Sequence, residues 1–153
     1  MTPNNERVEQ SVVVEGATPV TIPSSLAAAG EVSSVQVRSR RIGFECASGD
    51  WIEDDWTGVP LADLVDAASM PETTTHVRVE SADGYCACIP MVDLMGSLVA
   101  LDAVERPASD FPRFVSSSVG GPRALKHVVA VEPLALDAGE NREDYEELWF
   151  EED

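Results

Sequence analysis

Short runs in which apolar and polar residues alternate, separated by turn-forming residues, are the feature that most restricts how this chain can fold. The alternation is clear at residues 35–40 and 76–80, and β-branched residues fill 11–15 and 125–131. A period of two predicts half-buried strands, and the run at 125–131 is typical of a central strand. Gly, Pro, Ser and Asp between these runs predict turns.

Helical spacing of apolar residues is confined to short segments. Residues 61–68 follow Pro60 and place leucines on one face, which predicts a helix. Residues 26–29 and 90–95 predict two shorter helices. Residues 47–58 carry two tryptophans and three consecutive acids and predict a turn-rich loop. Many short strands with a few short helices predict an α+β fold with mixed and antiparallel sheets.

A chain of 153 residues, 44% of them hydrophobic, is long enough for one domain with a real core. We predict that residues 11–136 form this domain. Residues 1–10 are polar and predict a flexible N-terminus. Residues 137–153 contain nine acidic residues and one arginine. They predict an acidic C-terminal tail that is either weakly docked through its apolar residues 148–150 or mobile.

The formal net charge is −18, from 28 acidic and 10 basic residues. Nucleic acids and anionic membranes bind clusters of Lys and Arg, so this charge argues against both as partners. Acids spread along the whole chain favour a surface suited to high salt, which would screen their repulsion, over an acidic interaction tail. Neither an export signal nor a membrane span is visible, so we expect a cytoplasmic protein.

Three cysteines in a chain without an export signal predict reduced thiols. Cys86 and Cys88 form a C-x-C on a predicted strand, and their side chains therefore share a face. A zinc site completed by His76 or His127 is conceivable, but structural zinc sites favour two C-x-x-C pairs, so buried thiols are the favoured interpretation. Cys46 differs from both because it ends a strand and precedes a turn-rich segment.

Four segments in the same order resemble the oxidoreductase molybdopterin-binding domain of the sulfite oxidase family. They are F-E-C-A-S-G-D-W at 44–51, W-T-G-V-P-L-A-D-L at 56–64, S-A-D-G-Y at 81–85, and F-V followed by G-P-R-A-L-K-H-V within 114–128. The resemblance extends over about residues 11–134. It implies a sulfite-oxidase-type fold whose cofactor is molybdopterin with molybdenum or tungsten.

The resemblance implies a role for each matched position. Cys46 would be catalytic, as the thiolate that ligates molybdenum, because a soft thiolate suits a metal already held by dithiolene sulfurs. Gly49 would let the backbone approach the cofactor, and the loop 116–121 would offer a nest of N–H groups to its phosphate. Cationic and polar groups would hold the rest of the cofactor. The positions matched to this task are Asp83, Arg113, Gly121, Arg123, Ala124 and Lys126.

The chain departs from the family at several positions. The segment R-E-D-Y at 142–145 only faintly resembles the family's R-R-D-Y, which would make Tyr145 catalytic, and a surface aromatic is the alternative. Residues 108–110 stand where the family has a histidine, and His127 stands where it has a tryptophan. No segment matches the family's second, immunoglobulin-like domain.

Charge around the predicted ligand suggests the substrate. Sulfite oxidases place arginines after the ligand cysteine, whereas the acids at 53–55 follow it here and would repel an anion. Trp51 also resembles the branch of the family that reduces sulfoxides. The resemblance therefore implies oxygen-atom transfer on a small, neutral S- or N-oxide, with a separate electron-transfer protein. The alternative is a non-catalytic cofactor-binding or interaction subunit of a larger redox complex, or a domain that has lost the cofactor.

Overall fold

The computed structural model describes residues 11–148, which form nine strands in two sheets. The strands are β1 (Val12–Val14), β2 (Val20–Ile22), β3 (Arg38–Glu45), β4 (Trp51–Pro60), β5 (His76–Ser81), β6 (Cys86–Pro90), β7 (Leu98–Ala103), β8 (Arg113–Val115) and β9 (Val128–Leu134). Two α-helices and three 3₁₀ turns lie in the same range: α1 (Leu26–Ala29), α2 (Leu61–Ala67), Met91–Leu94, Ala108–Asp110 and Arg142–Tyr145. The predicted flexible N-terminus and the last five residues of the predicted tail lie outside the described residues.

The first sheet has five strands in the order β2-β1-β9-β5-β6. β1 pairs with β9 in parallel, and the other pairs are antiparallel. β9 therefore occupies the centre, as its β-branched sequence predicts. It begins at Val128 rather than at residue 125, because His127 has a φ of 58° that no extended strand allows.

The second sheet has four antiparallel strands in the order β3-β4-β7-β8, and its strands β7 and β8 are buried on both faces. Successive side chains of a strand point to opposite faces. Val99 of β7 accordingly joins a large core shared with the first sheet and α2, whereas Leu98 joins a smaller core on the other face. The smaller core is built from Ile42, Phe44, Trp56, Leu98, Ala100, Val115 and Ala124.

The prediction of a loop at residues 47–58 is wrong, because most of this segment belongs to β4. All of β3 pairs with it. The acids in it are satisfied in two ways. Glu53 and Asp55 point outward and form ion pairs with Arg41 on β3. Asp54 points inward, is 3% exposed, and accepts hydrogen bonds from the backbone N–H groups of Asp55 and Glu105. A polar sequence can therefore form a strand when each carboxylate has an ion-pair or hydrogen-bond partner.

The described part of the acidic tail packs on the edge of the first sheet. Glu147 exchanges two backbone hydrogen bonds with Cys86, the first residue of edge strand β6. Glu146 is held more deeply, since its side chain is 3% exposed and its carboxylate accepts the backbone N–H of Cys88. Residues 142–147 therefore cap the β6 edge. The docking offered as one alternative for the tail was assigned to residues 148–150, of which 149 and 150 lie outside the described residues.

Candidate functional site

Cys46 owes its position to the alternation of β3. Ile42, Phe44 and Cys46 are two residues apart and face the same side, so the thiol lies at the rim of the smaller core. β3 ends at Glu45, and a tight turn then returns the chain to β4. In this turn the Cys46 N–H donates to the Asp50 carbonyl at 2.8 Å, and the Gly49 N–H donates to the Cys46 carbonyl at 2.9 Å.

Gly49 has a φ of 96°, a conformation that strongly favours glycine. A Cβ at this position would meet no atom within 4 Å. The glycine is therefore needed for the shape of the turn, and the close approach of backbone to cofactor stays a prediction.

The Cys46 thiol is partly buried and faces several donors. Burial raises the pKa of Cys46, but hydrogen bonds from the Ser48 hydroxyl and from the backbone N–H groups of Ser48 and Asp50 outweigh it. The net shift of the Cys46 pKa is downward, which favours the thiolate needed for a metal ligand.

The glycines at 120–121 bring a late loop against Cys46. The Gly121 N–H donates to the Glu45 carbonyl, and Gly121 forms a parallel bridge with Cys46. A Cβ on Gly120 would lie 2.8 Å from the Glu45 carbonyl oxygen, so only glycine fits there without a shift. In the nest predicted at residues 116–121, the Gly121 N–H is thus used by Glu45 and the Ser118 N–H by the Ser116 hydroxyl.

A pocket with a volume of about 330 Å³ opens beside Cys46. This size lies within the range of small-molecule sites. Six of the nine positions singled out from the sequence line it. They are Cys46, Asp83, Arg113, Gly121, Ala124 and Lys126.

Arg113 lies at the buried end of this pocket, with a side chain 4% exposed. Its Nε donates to the Ala124 carbonyl at 3.2 Å, and its guanidinium lies 5.2 Å from the centre of the Phe44 ring. Its Nη1 is 3.5 Å from Asp110 but makes no hydrogen bond. Burial lowers the pKa of Arg113, an effect that Asp110 opposes, and a guanidinium remains charged. Arg113 is therefore a buried cation with an unused donor.

Lys126 and His127 form the outer wall. Lys126 Nζ lies 3.4 Å from Asp110. The His127 ring lies between two other loops, with Nε2 2.6 Å from the Ser109 carbonyl oxygen and Nδ1 3.1 Å from Asp83 Oδ2. Because a carbonyl oxygen only accepts, Nε2 carries a proton. His127 thus joins the loops that surround the pocket.

Arg106 is a pocket residue that the sequence analysis missed. It is half-buried, and among residues 11–148 no hydrogen bond or ion pair involves it. With Arg113 and Lys126, it places three of the chain's ten Lys and Arg residues around one pocket. The scarcity of basic residues was the signal that could have identified it.

Three predicted site residues do not line the pocket: Gly49, Arg123 and Tyr145. The Arg123 guanidinium forms two hydrogen bonds of 2.7 Å with Glu146. The Tyr145 hydroxyl donates to Glu140 at 2.8 Å on the surface. Cofactor and catalytic roles for these three residues stay predictions. The hydrogen-bond partners of Arg123 and Tyr145 lie outside the pocket.

The acids that suggested repulsion of an anion also lie outside the pocket. Glu53 and Asp55 are on the outer face with Arg41, and Asp54 is occupied by backbone N–H groups. Trp51 is 65% exposed and covers Gly43, whereas Trp56 is fully buried in the smaller core. The charge argument drawn from residues 53–55 was therefore wrong, because the alternation of β4 turns two acids away and buries the third.

Cys86 and Cys88 are buried beneath the C-terminal segment. Arg78 donates to Cys86 Sγ at 3.3 Å. Burial raises the pKa of the Cys88 thiol to about 11, so this thiol stays protonated. Within residues 11–148, no three His, Cys, Asp or Glu side chains are grouped so as to hold a metal ion.

Comparison with known proteins agrees with this geometry. The family model described as "Oxidoreductase molybdopterin binding domain" matches residues 13–112, a span that contains Cys46 and Asp83 and ends just before Arg113. No curated protein is significantly similar in sequence. Among the described residues, no helix is both long and apolar enough to cross a membrane.

One solved structure with the same fold is the sulfane dehydrogenase SoxCD from Paracoccus pantotrophus. It is similar with a TM-score of 0.67 at 16% identity, and the match covers 85% of this chain and 39% of that chain. The similarity confirms the predicted fold. Because the family model matches about two thirds of the sequence, including the cysteine beside the pocket, the chain belongs to the family of oxidoreductase molybdopterin-binding domains.

Proposed function

We propose that this chain holds molybdenum-bearing molybdopterin in the pocket beside Cys46 and takes part in oxygen-atom transfer on a small, neutral S- or N-oxide. The observation that carries the proposal is the meeting of a thiolate-stabilising turn and three cations at one pocket of an otherwise strongly acidic protein. When bound, the cofactor supplies the two-electron chemistry, and the protein binds and orients.

The residues present fit such a cofactor. Cys46 offers a sulfur that is not sealed in the core, and its pKa is lowered. Arg113 lines the pocket with a buried guanidinium whose positive charge would attract an anionic ligand, while its Nη1, the donor without a hydrogen-bond partner, lies 3.5 Å from Asp110. Gly121 has a φ of 64° and no atom within 4 Å of the position a Cβ would take, so its side of the pocket is open.

The charges that line the pocket, rather than the acids at residues 53–55, support a neutral substrate. The cations Arg106, Arg113 and Lys126 already face the Cys46 thiolate and the buried Asp110 carboxylate. A cofactor phosphate would add about two negative charges. The positive charge of the pocket is then used by the cofactor, and little remains to attract an anionic substrate.

Electrons for such a reaction must come from outside the pocket, because oxygen-atom transfer changes the oxidation state of the metal by two. We propose a separate electron-transfer protein as the source. Among the described residues, no three His, Cys, Asp or Glu side chains are grouped so as to hold a metal ion that could relay these electrons.

Metal and pterin analysis of the chain made in cells that synthesise molybdopterin, and purified in high salt, tests the proposal. We expect close to one molybdenum and one pterin per chain, with most of the metal lost in Cys46→Ser. Cys86→Ser is the matched control and should keep its metal, since Cys86 lies under the C-terminal segment. A native chain without metal or pterin would contradict the proposal.

A cofactor carrier without catalysis is the second candidate. The position of Tyr145 favours it, because the hydroxyl implied to be catalytic bonds Glu140 rather than lining the pocket. Metal-loaded protein should reduce a sulfoxide or an amine oxide with a viologen donor if the first proposal holds. Loaded protein that is inactive with sulfoxides, amine oxides and sulfite alike would favour the carrier.

A further inference from the structure

The Ser48 hydroxyl is placed to act on the proposed metal ligand. Its Oγ lies 3.0 Å from Cys46 Sγ, a short contact for oxygen and sulfur. The same Oγ lies 3.3 Å from Asp50 Oδ2. Ser48 and Cys46 both line the pocket, and Ser48 itself is exposed.

A hydroxyl has one proton to donate, so Cys46 and Asp50 compete for it. Sulfur bound to a metal carries no proton and can only accept. In the loaded protein, the contact of 3.0 Å is therefore a hydrogen bond only if Ser48 donates to the sulfur. The backbone N–H groups of Ser48 and Asp50 also point at this sulfur, but the turn fixes them. The Ser48 hydroxyl, in contrast, is a side-chain donor, so a substitution can remove it without changing the backbone.

We propose that Ser48 is a positioning residue that sets the electron donation of the Cys46 sulfur and thereby the reduction potential of the metal centre. The inference rests on the proposed function. A hydrogen bond to a ligating sulfur withdraws electron density from it, and such bonds tune the potentials of metal–thiolate centres. Without the Ser48 donor, the sulfur donates more strongly, the oxidised metal is stabilised and the potential falls.

Three variants test this inference. Ser48→Ala removes the hydroxyl, Ser48→Thr keeps it, and Ser33→Ala is a control at an exposed serine between α1 and β3. The potential of the metal-loaded protein is measured by a spectroscopic redox titration. We expect a more negative potential for Ser48→Ala, with native metal content, and native potentials for Ser48→Thr and Ser33→Ala.

A second measurement uses metal-free protein. The rate at which iodoacetamide alkylates Cys46 is measured at increasing pH until the rate reaches a plateau, at which the thiol is fully ionised. A thiolate that accepts fewer hydrogen bonds is a stronger nucleophile, so the plateau rate should be several-fold higher in Ser48→Ala. Cys46→Ser gives the background from Cys86 and Cys88.

The outcomes distinguish a failure of the role proposed for Ser48 from a failure of the proposed function. Loaded Ser48→Ala with the potential of Ser33→Ala would overturn the inference and leave the proposed function standing. Equal plateau rates would show that the hydroxyl does not donate to the sulfur and would overturn it too. A native chain that contains neither metal nor pterin would overturn the proposed function and this inference together.

Discussion

Arg113 and Arg123 are two arginines with the same predicted task and opposite surroundings. Arg113 is buried at the inner end of the pocket, and its Nη1 makes no hydrogen bond. Arg123 is outside the pocket, and Glu146 accepts hydrogen bonds from its Nε and Nη2, both at 2.7 Å. The first lines the pocket and has an unused donor, whereas the second is satisfied by its own chain.

The difference follows from strand geometry. Arg113 precedes Phe114 and Val115 on β8, and alternation places it on the face of Val115, above Phe44 and beside Cys46. Arg123 lies in the turn before β9, where the C-terminal segment comes back along β6. A motif therefore identifies a basic residue, but its partners decide whether it is available to a ligand.

The largest expected effect is that of Arg113→Met. This substitution leaves Asp110, whose side chain is 8% exposed, with Lys126 as its remaining ion-pair partner. Breaking a buried ion pair from one side is strongly destabilising, so we expect the free energy of unfolding to fall by about 3 kcal/mol and cofactor to be lost. Urea unfolding and metal analysis measure the two effects. The double variant Arg113→Met with Asp110→Asn should recover stability but not cofactor, and recovery of both would contradict a binding role.

Arg123→Met should have a smaller effect and of a different kind. It removes two charged hydrogen bonds from Glu146, whose side chain is 3% exposed, at an expected cost of about 2 kcal/mol in unfolding free energy. Because Arg123 does not line the pocket, the molybdenum content should stay near the native value. The opposite pattern, lost metal with unchanged stability, would erase the contrast with Arg113 and restore the cofactor role implied by the resemblance.

These two arginines also show what a sequence can predict. Cys46, Gly121 and Lys126 line one pocket although they are far apart in the sequence, and it was the family resemblance, not a local pattern, that grouped them. The partner of Arg123 is 23 residues away and that of Arg41 is 12 residues away, so neither pair follows from a local pattern. For the same reason β4 was taken for a loop, since its acids read as solvated until Arg41 is opposite them. Arg106 belongs to no motif, and only the scarcity of basic residues in the chain marks it out.

Acid should weaken the C-terminal segment. Burial raises the pKa of Glu146, but hydrogen bonds from Arg123 and from the Cys88 N–H outweigh it, so the net shift is downward. A carboxyl with a lowered pKa contributes stability above its unfolded pKa, about 4.3 for glutamate, and loses it as the pH falls through the folded value. Glu146→Gln should therefore reduce the loss of stability below about pH 4.3. An unchanged acid profile, measured by thermal unfolding from pH 7 to pH 3, would show that Glu146 is not a main contributor.

The smallest expected effect separates the His127 side chain from its backbone. Asparagine tolerates the left-handed φ of 58° but is too short to reach both Ser109 and Asp83. His127→Asn should therefore keep the turn and lose about 1 kcal/mol of unfolding free energy. His127→Gly loses the same contacts and adopts this φ without backbone strain. If His127→Gly is as stable as His127→Asn, the lost unfolding free energy belongs to the side-chain contacts of His127. If both equal the native protein in urea, the ring does not hold the two loops together, and the outer wall owes its position to the Lys126–Asp110 pair.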